Sequence, residues 1–248
     1  MKKIIFSFML IVFATRVFAY EAGQLSLDTP NMLESGEGSF TIRHKFYGEA
    51  EDYNKFFGAD DGGNMYIALK YALLDNLVLG VDHTKERSVY GAGLEYAQHF
   101  SWLKASLRLN GYRFSSGANE YQRSYMGNFA LQTKNFFDHL NFSANVGYDR
   151  YYKYTFAGFG VDLNVNNFLP FLVFTEKISL LAEYYPLVDK VENISKEYES
   201  YAVGVKFQTY QHHFELMVSN ATSMEARTMG LGSNTKDLHF GFNINRKF

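Results

Sequence analysis

From Gly38 to Phe248, apolar and polar residues alternate with a period of two, segment after segment, and Gly, Asn, Asp and Ser separate the segments. Successive side chains of a strand point to opposite faces of its sheet, so each segment predicts a strand with one apolar and one polar face. Strand 1 (38–48) sets Phe40, Ile42 and Phe46 against Thr41, Arg43 and Lys45, and strand 2 (64–73) sets Met65, Ile67, Leu69 and Tyr71 against Tyr66, Ala68 and Lys70. Strands 3 (77–86), 4 (89–97) and 5 (102–113) place Asp82, Glu95, Lys104 and Arg108 on the polar side, with Gly80, Gly91 and Gly93 between them. Strands 6 (122–133), 7 (140–151) and 8 (155–166) add Asn128, Gln132, Asn145, Asp149 and Asp162. Strands 9 (177–186), 10 (200–208) and 11 (212–220) add Lys177, Glu183, Lys206, His213 and Glu215. The last strand alternates Leu238, Phe240, Phe242 and Ile244, ending on Phe248, with His239, Asn243, Asn245 and Lys247.

Twelve is an even number, which leaves both chain ends on one side, as in single-chain bacterial barrels. The connections after strands 1, 5, 9 and 11 are long and polar, whereas those after 2, 4 and 10 are short. Short periplasmic turns and longer outer loops produce that asymmetry. The short link between strands 3 and 4 and the N-N-F-L-P-F-L-V-F stretch around Pro170 depart from it.

Periodicity alone does not say which way the apolar face looks, because a lipocalin-like barrel or a two-sheet sandwich would turn it inward. Composition narrows the choice. After residue 19 no apolar run reaches the ~18 residues a spanning helix needs. Aromatic residues reach 18%, and Pro is restricted to Pro30, Pro170 and Pro186, both as strands prefer. Segments of about 9–11 residues match a tilted bilayer span, and Tyr and Phe recur near their ends. The expectation is an all-β chain: a single antiparallel up-and-down transmembrane β-barrel over 38–248.

Residues 1–19 carry Lys2 and Lys3, an apolar stretch from Ile4 to Ala14, and small or apolar Val17 and Ala19 before Tyr20. This pattern predicts a secretory signal peptide. Residues 20–37 lack sustained periodicity and read as an N-terminal periplasmic segment, with a place in the barrel mouth as the alternative. Cysteine is absent, so there is no disulfide framework and no thiolate metal site. The net charge of −2 falls to about −5 once Lys2, Lys3 and Arg16 are removed, which leaves no basic field for nucleic acid.

The terminal strand, with Phe240, Phe242, Ile244 and the final Phe248, resembles the C-terminal strand of bacterial outer-membrane β-barrels. That resemblance implies recognition by the barrel-assembly machinery, outer-membrane lipid as a partner, and residence in the bacterial outer membrane after signal-peptide cleavage. Over residues 38–97, the Arg43-His44-Lys45-Phe46 run, the Phe57-Gly58-Ala59-Asp60 loop and the Leu74-Asp75-Asn76-Leu77 turn are similar to a bacterial family of outer-membrane barrels known as a domain of unknown function. The resemblance implies a fold and a location and supplies no catalytic residues.

The polar face carries Arg43, Lys45, Lys70, Asp82, Glu95, Lys104, Arg108, Asp149, Asp162, Glu183, Lys206, Glu215, His239 and Lys247. These residues line either a porin-like channel for a small polar solute, whose field sorts what passes, or a closed, salt-bridged interior of a structural or interaction barrel. Opposite signs on strands 2 and 3, 4 and 5, 10 and 11, and 11 and 12 predict ion pairs between neighbours. An outer-membrane hydrolase is the third class. His213, Glu215 and His239 share the lumen face, but no G-x-S-x-G occurs, and the expectation is no enzyme and no cofactor. Asp60-Asp61-Gly62-Gly63-Asn64 lacks EF-hand spacing, and His212 and His213 point to opposite faces, so no metal site is expected.

Overall fold

The computed structural model describes residues 23–30, 33–117, 120–134, 136, 139–166, 177–192 and 194–248. The signal-peptide expectation and most of the stretch around Pro170 lie outside these residues. Twelve strands form a closed barrel in which each pairs antiparallel with its sequence neighbours and β1 pairs with β12. They are β1 (Gly38–Phe46), β2 (Gly63–Leu74), β3 (Leu77–Thr84), β4 (Val89–His99), β5 (Leu103–Gly117), β6 (Glu120–Thr133), β7 (Leu140–Asp149), β8 (Tyr154–Asn164), β9 (Lys177–Tyr185), β10 (Ser200–Gln208), β11 (His212–Ser219) and β12 (His239–Lys247). One short helix, α1 (Ala226–Met229), lies in the β11–β12 connection. The closing seam sets Thr41 opposite Asn245 and Arg43 opposite Asn243, with Thr41 Oγ1 donating to Asn245 Oδ1 at 2.7 Å.

One connection differs from expectation. Within the S-S-G-A-N-E stretch after strand 5, Ser115 to Gly117 and Glu120 belong to strands and not to a long loop, because β5 and β6 continue as a ladder in which Phe114 faces Gln122 and Ser115 faces Tyr121. Alternation persists through Tyr112 and Phe114, so the sheet extends past the rim.

The apolar parity looks outward. Leu79, Val81, Leu94, Leu107, Leu109, Val146, Phe159, Leu180 and Leu216 are all exposed. In water a band of this kind would cost about 25 cal/mol for each Å² of apolar surface, whereas acyl chains remove that cost. Tyr71, Tyr96, Trp102, Tyr210 and Phe248 ring the end with short turns, and Tyr47, Tyr90, Tyr121, Tyr148 and Tyr201 ring the end with long loops. Trp and Tyr settle at membrane interfaces because one end of the ring system is apolar and the other polar.

Two segments fill the interior from opposite ends. Residues 23–30, tethered to β1 through 33–37, fold back into the lumen from the short-turn end, where Leu25, Ser26 and Leu27 are fully buried. The sequence left this segment between the periplasm and the barrel mouth; residues 23–30 lie inside. From the long-loop end, the β11–β12 connection turns inward, and Ala221, Ala226, Met229 and Leu231 pack with Val89, Tyr112, Phe114, Tyr154 and Phe156. A core of soluble-protein type therefore sits inside half of a membrane barrel.

Candidate functional site

The lumen is the site, and alternation delivers its side chains. Asp82, Glu95, Lys104, Arg108, Asp149, Asp162, Glu183, Lys206, Glu215 and His239 are buried on the inward face. Arg43, Lys70 and Lys247 share that face and are partly buried, and Lys45 is completely so. Phe240, Phe242, Ile244 and Phe248 take the lipid side, and Phe248 extends the seam by exchanging backbone hydrogen bonds with Gly38 at 2.9 and 3.0 Å.

Three ion pairs skip a strand, while Lys177 on β9 meets Asp162 on neighbouring β8 at 3.8 Å. Lys70 on β2 reaches Glu95 on β4 at 3.1 Å, Arg108 on β5 reaches Asp82 on β3 at 3.1 Å, and Lys206 on β10 reaches Asp162 on β8 at 2.5 Å. Neighbour pairing was the sequence expectation, but glycine changes the geometry. Asp82 stands opposite Gly91 in register, where a Cβ would collide with its carboxylate, and Lys70 stands opposite Gly80. With no side chain in between, a long cation lies across the intervening strand. Lys247 pairs instead with Glu37 of the tether at 2.7 Å.

The wall holds residues 23–30 with directed polar contacts. Glu183 accepts from the backbone N–H groups of Ser26 (2.9 and 3.1 Å) and Leu27 (3.0 Å), and from the Tyr185 hydroxyl at 2.9 Å. Asp28 accepts from Asn128 at 2.8 Å and pairs with Arg108 at 3.4 Å, while Asn145 exchanges two hydrogen bonds with the Asp28 backbone at 2.7 and 2.9 Å. Asn243 donates to the Leu25 carbonyl at 2.8 Å. Leu25 fills a pocket of Leu181, Ala202 and Met217, and Leu27 lies over Gly158, where a Cβ would come within 2.7 Å of it.

Arg43 and Lys45 connect the two inserted segments. Arg43 donates to the Ser26 carbonyl (3.3 Å) and to the Met224 carbonyl (2.9 Å), and its guanidinium lies 5.3 Å from the centre of the Tyr66 ring. Lys45 donates to Ser26 Oγ (3.1 Å) and to the Ser223 carbonyl (2.6 Å). Tyr66 and Ala68 pack on Met224, and this row separates two spaces. Toward the long loops lies a cavity of about 360 Å³ bordered by Asn64, Thr84, Tyr112 and Arg227. Toward the short turns lies a gap of about 40 Å³ between Asp28, Thr41, Lys70 and Arg108.

Behind the wall of the long-loop cavity, Asp149 gathers several partners. Its carboxylate accepts from the Tyr112 hydroxyl at 2.7 and 2.8 Å and from the Tyr151 N–H at 2.9 Å, and it pairs with Arg227 at 3.5 Å. Arg227 also pairs with Glu225 at 2.8 Å and stacks 4.5 Å from the Tyr112 ring. Sequence reading did not find Arg227, Glu225 or Met224, since they lie in a polar, Gly-containing connection with no period.

The histidines do not converge. His213 lies opposite Asn245 and His239 opposite Ser219, at the two ends of the β11–β12 ladder, and His239 Nδ1 is 3.0 Å from the Gly48 carbonyl. The aromatic ring of His212 stacks on Phe214 on the other face of the strand. In the loop considered for calcium, Asp61 is paired with Lys55 at 3.0 Å.

Solved structures of similar fold include the KdgM porin in complex with disordered oligogalacturonate, at 10% identity and a TM-score of 0.52, covering 85% of this chain and 99% of that one. The NanC porin follows at 10% identity and 0.49, over 84% and 98%. Outer membrane phospholipase A from Escherichia coli stands at 12% identity and 0.44, over 88% and 91%. At these identities the likeness is one of fold. No curated protein matches the chain in sequence. A family model described as a membrane bound beta barrel domain (DUF5777) matches residues 22–106 and 121–248. The chain belongs to this family of membrane-bound β-barrel domains.

Proposed function

We propose that the protein is a porin-like barrel of the bacterial outer membrane that passes small polar solutes and is held shut by its own residues 23–30. The observation that carries this reading is the kind of contact between segment and wall. Glu183, Asn145, Asn128, Arg108 and Asn243 hold the segment by hydrogen bonds and an ion pair, which water can replace at small net cost. Polar atoms of Gln132, Gln208 and Ser200 face the same interior and meet no protein partner among the described residues. Buried polar atoms of that kind are met by water, which suits a wet passage better than a sealed core. With the segment withdrawn, the inward-turned β11–β12 connection, held at the Tyr66–Met224 row and by the Arg43 latch, is the remaining restriction. The terminal strand supplies the recognition feature for barrel assembly, and residues 1–19 the export signal.

The test is conductance of the refolded protein in planar bilayers, with folding checked by the different gel migration of boiled and unboiled samples. Wild type should open rarely and in steps, and Glu183→Ala should open more often at the same step size. A second reading, a closed barrel whose long loops bind a partner, is favoured by the packed aromatic half of the interior. Silence of both folded proteins selects that reading and rejects the channel.

A further inference from the structure

The cavity at the long-loop end has a wall that conduction does not require. Four aromatic residues converge on it. Tyr151 meets Phe114 edge to face with ring centres 4.3 Å apart and meets Tyr152 the same way at 4.9 Å, and Tyr112 lies 6.0 Å from Phe114. Arg87 arches over this cluster, 5.0 Å from the Phe114 ring and 5.6 Å from the Tyr151 ring, and donates to the Tyr152 hydroxyl at 2.8 Å. It is presented by a strained turn, with Arg87 at φ 57° and Ser88 at φ 45°. Such left-handed conformations cost free energy and persist where the surroundings enforce them, often at ligand sites.

Lys196 enters from the other side. Its backbone N–H donates to the Leu231 carbonyl at 2.8 Å, and the next rung joins Tyr198 and Ser233 in both directions at 2.7 and 3.0 Å. The residue is therefore fixed relative to the inward-turned connection. Burial pulls its ammonium below the usual lysine range, against a smaller opposing pull from Glu86. An anion at this point offsets that desolvation.

The acids of the cavity are committed elsewhere. Glu225 is bound to Arg227, and Glu86 accepts from the Asn64 amide at 3.0 Å. Among the described residues, neither Arg87 nor Lys196 has a carboxylate within ion-pair distance. Two cations with no carboxylate at ion-pair distance among the described residues, facing aromatic rings in a space of about 360 Å³, make a recognisable combination. The cations select negative charge, and the rings select a flat apolar or C–H face.

We propose that this cavity is a binding site for a small carboxylate carried on a six-membered ring, either an aromatic acid or a uronic sugar. The carboxylate sits between Arg87 and Lys196, and the ring lies against Tyr151 and Tyr152. The site faces the long loops and is complete while the lumen is closed, so it stands apart from the channel reading.

The experiment is isothermal titration of the folded mature protein in detergent with benzoate, glucuronate, acetate and chloride. At least one of the two ring acids should bind about tenfold more tightly than acetate or chloride, and which one it is distinguishes the two sources. Lys196→Gln should weaken the ring acid by about tenfold, as loss of a charge-assisted hydrogen bond requires. Arg87→Asn should do the same, since Asn tolerates the left-handed backbone. Tyr151→Leu should bring the ring acid down toward acetate. Lys55→Gln, outside the cavity, should change nothing. Equal binding of all four anions, no binding of either ring acid, or full affinity in the folded Lys196→Gln and Arg87→Asn proteins would each overturn the proposal.

Discussion

Residues 23–30 and the β11–β12 connection both occupy the interior of the barrel, but different forces hold them. The first is held by Glu183, Arg108, Asn128, Asn145 and Asn243, with only Leu25 and Leu27 as apolar anchors. The second buries Ala221, Ala226, Met229 and Leu231 against Tyr112, Phe114, Tyr154 and Phe156. Polar contacts exchange for contacts with water at little net cost, whereas apolar surface cannot leave its partners without exposing area. The same cylinder thus contains a segment held mainly by polar contacts at its short-turn half and one held by apolar packing at its long-loop half. Arg43 and Lys45 touch both, through Ser26 on one side and Met224 and Ser223 on the other, and couple them.

The contrast can be broken from either side. Arg108→Glu should have the largest effect, because it places a third carboxylate beside Asp28 and Asp82. Breaking a buried pair costs about 3–5 kcal/mol. Amide exchange at Ser26, Leu27 and Asp28 should accelerate strongly while the β11–β12 connection stays protected. In a conducting protein, the same change should also shift selectivity toward cations. Met229→Ala, in a fully buried position, should cost about 2–5 kcal/mol and show the reverse, with earlier proteolysis of residues 220–238 and little change in exchange at 23–30.

Gly158→Val should act more weakly, at about 1–3 kcal/mol, by pressing on Leu27 and Tyr185. Its signature is faster exchange of the segment with an unchanged barrel melting temperature. The smallest effect belongs to Lys55→Gln, which removes an exposed pair with Asp61 and should leave exchange, proteolysis and conductance alike.

Much of this architecture was legible in the sequence, because a bilayer forces every strand to alternate and the period survives in each one. Twelve strands, their order, and the inward set from Arg43 to Lys247 all follow from that constraint. The contents of the lumen were not legible. Gln24-Leu25-Ser26-Leu27-Asp28 is too short to carry a periodic signal, and its polar partners are spread over β1, β5, β6, β7, β9 and β12. Tyr112 and Phe114 continue the parity of Arg108, and Tyr154 and Phe156 that of Asp162, so an aromatic inner half was written into the strands. Reading that parity as uniformly polar concealed it. Opposite charges do face each other across neighbouring strands, as Glu95 with Arg108 and Lys206 with Glu215, but the close contacts of Lys70 and Arg108 fall one strand further on because glycines opposite Lys70 and Asp82 let the cations reach across.

The central claim is that residues 23–30 close a pore that otherwise conducts. The natural chain has no cysteine, so a single engineered disulfide can lock the segment without competing thiols. Asp28→Cys combined with Asn145→Cys joins two residues that already exchange hydrogen bonds at 2.7 and 2.9 Å. Conductance of this protein in a planar bilayer, recorded before and after reduction, is the direct measurement. The account predicts silence when oxidised and stepwise openings when reduced. Openings that persist with the disulfide formed in every molecule would contradict it.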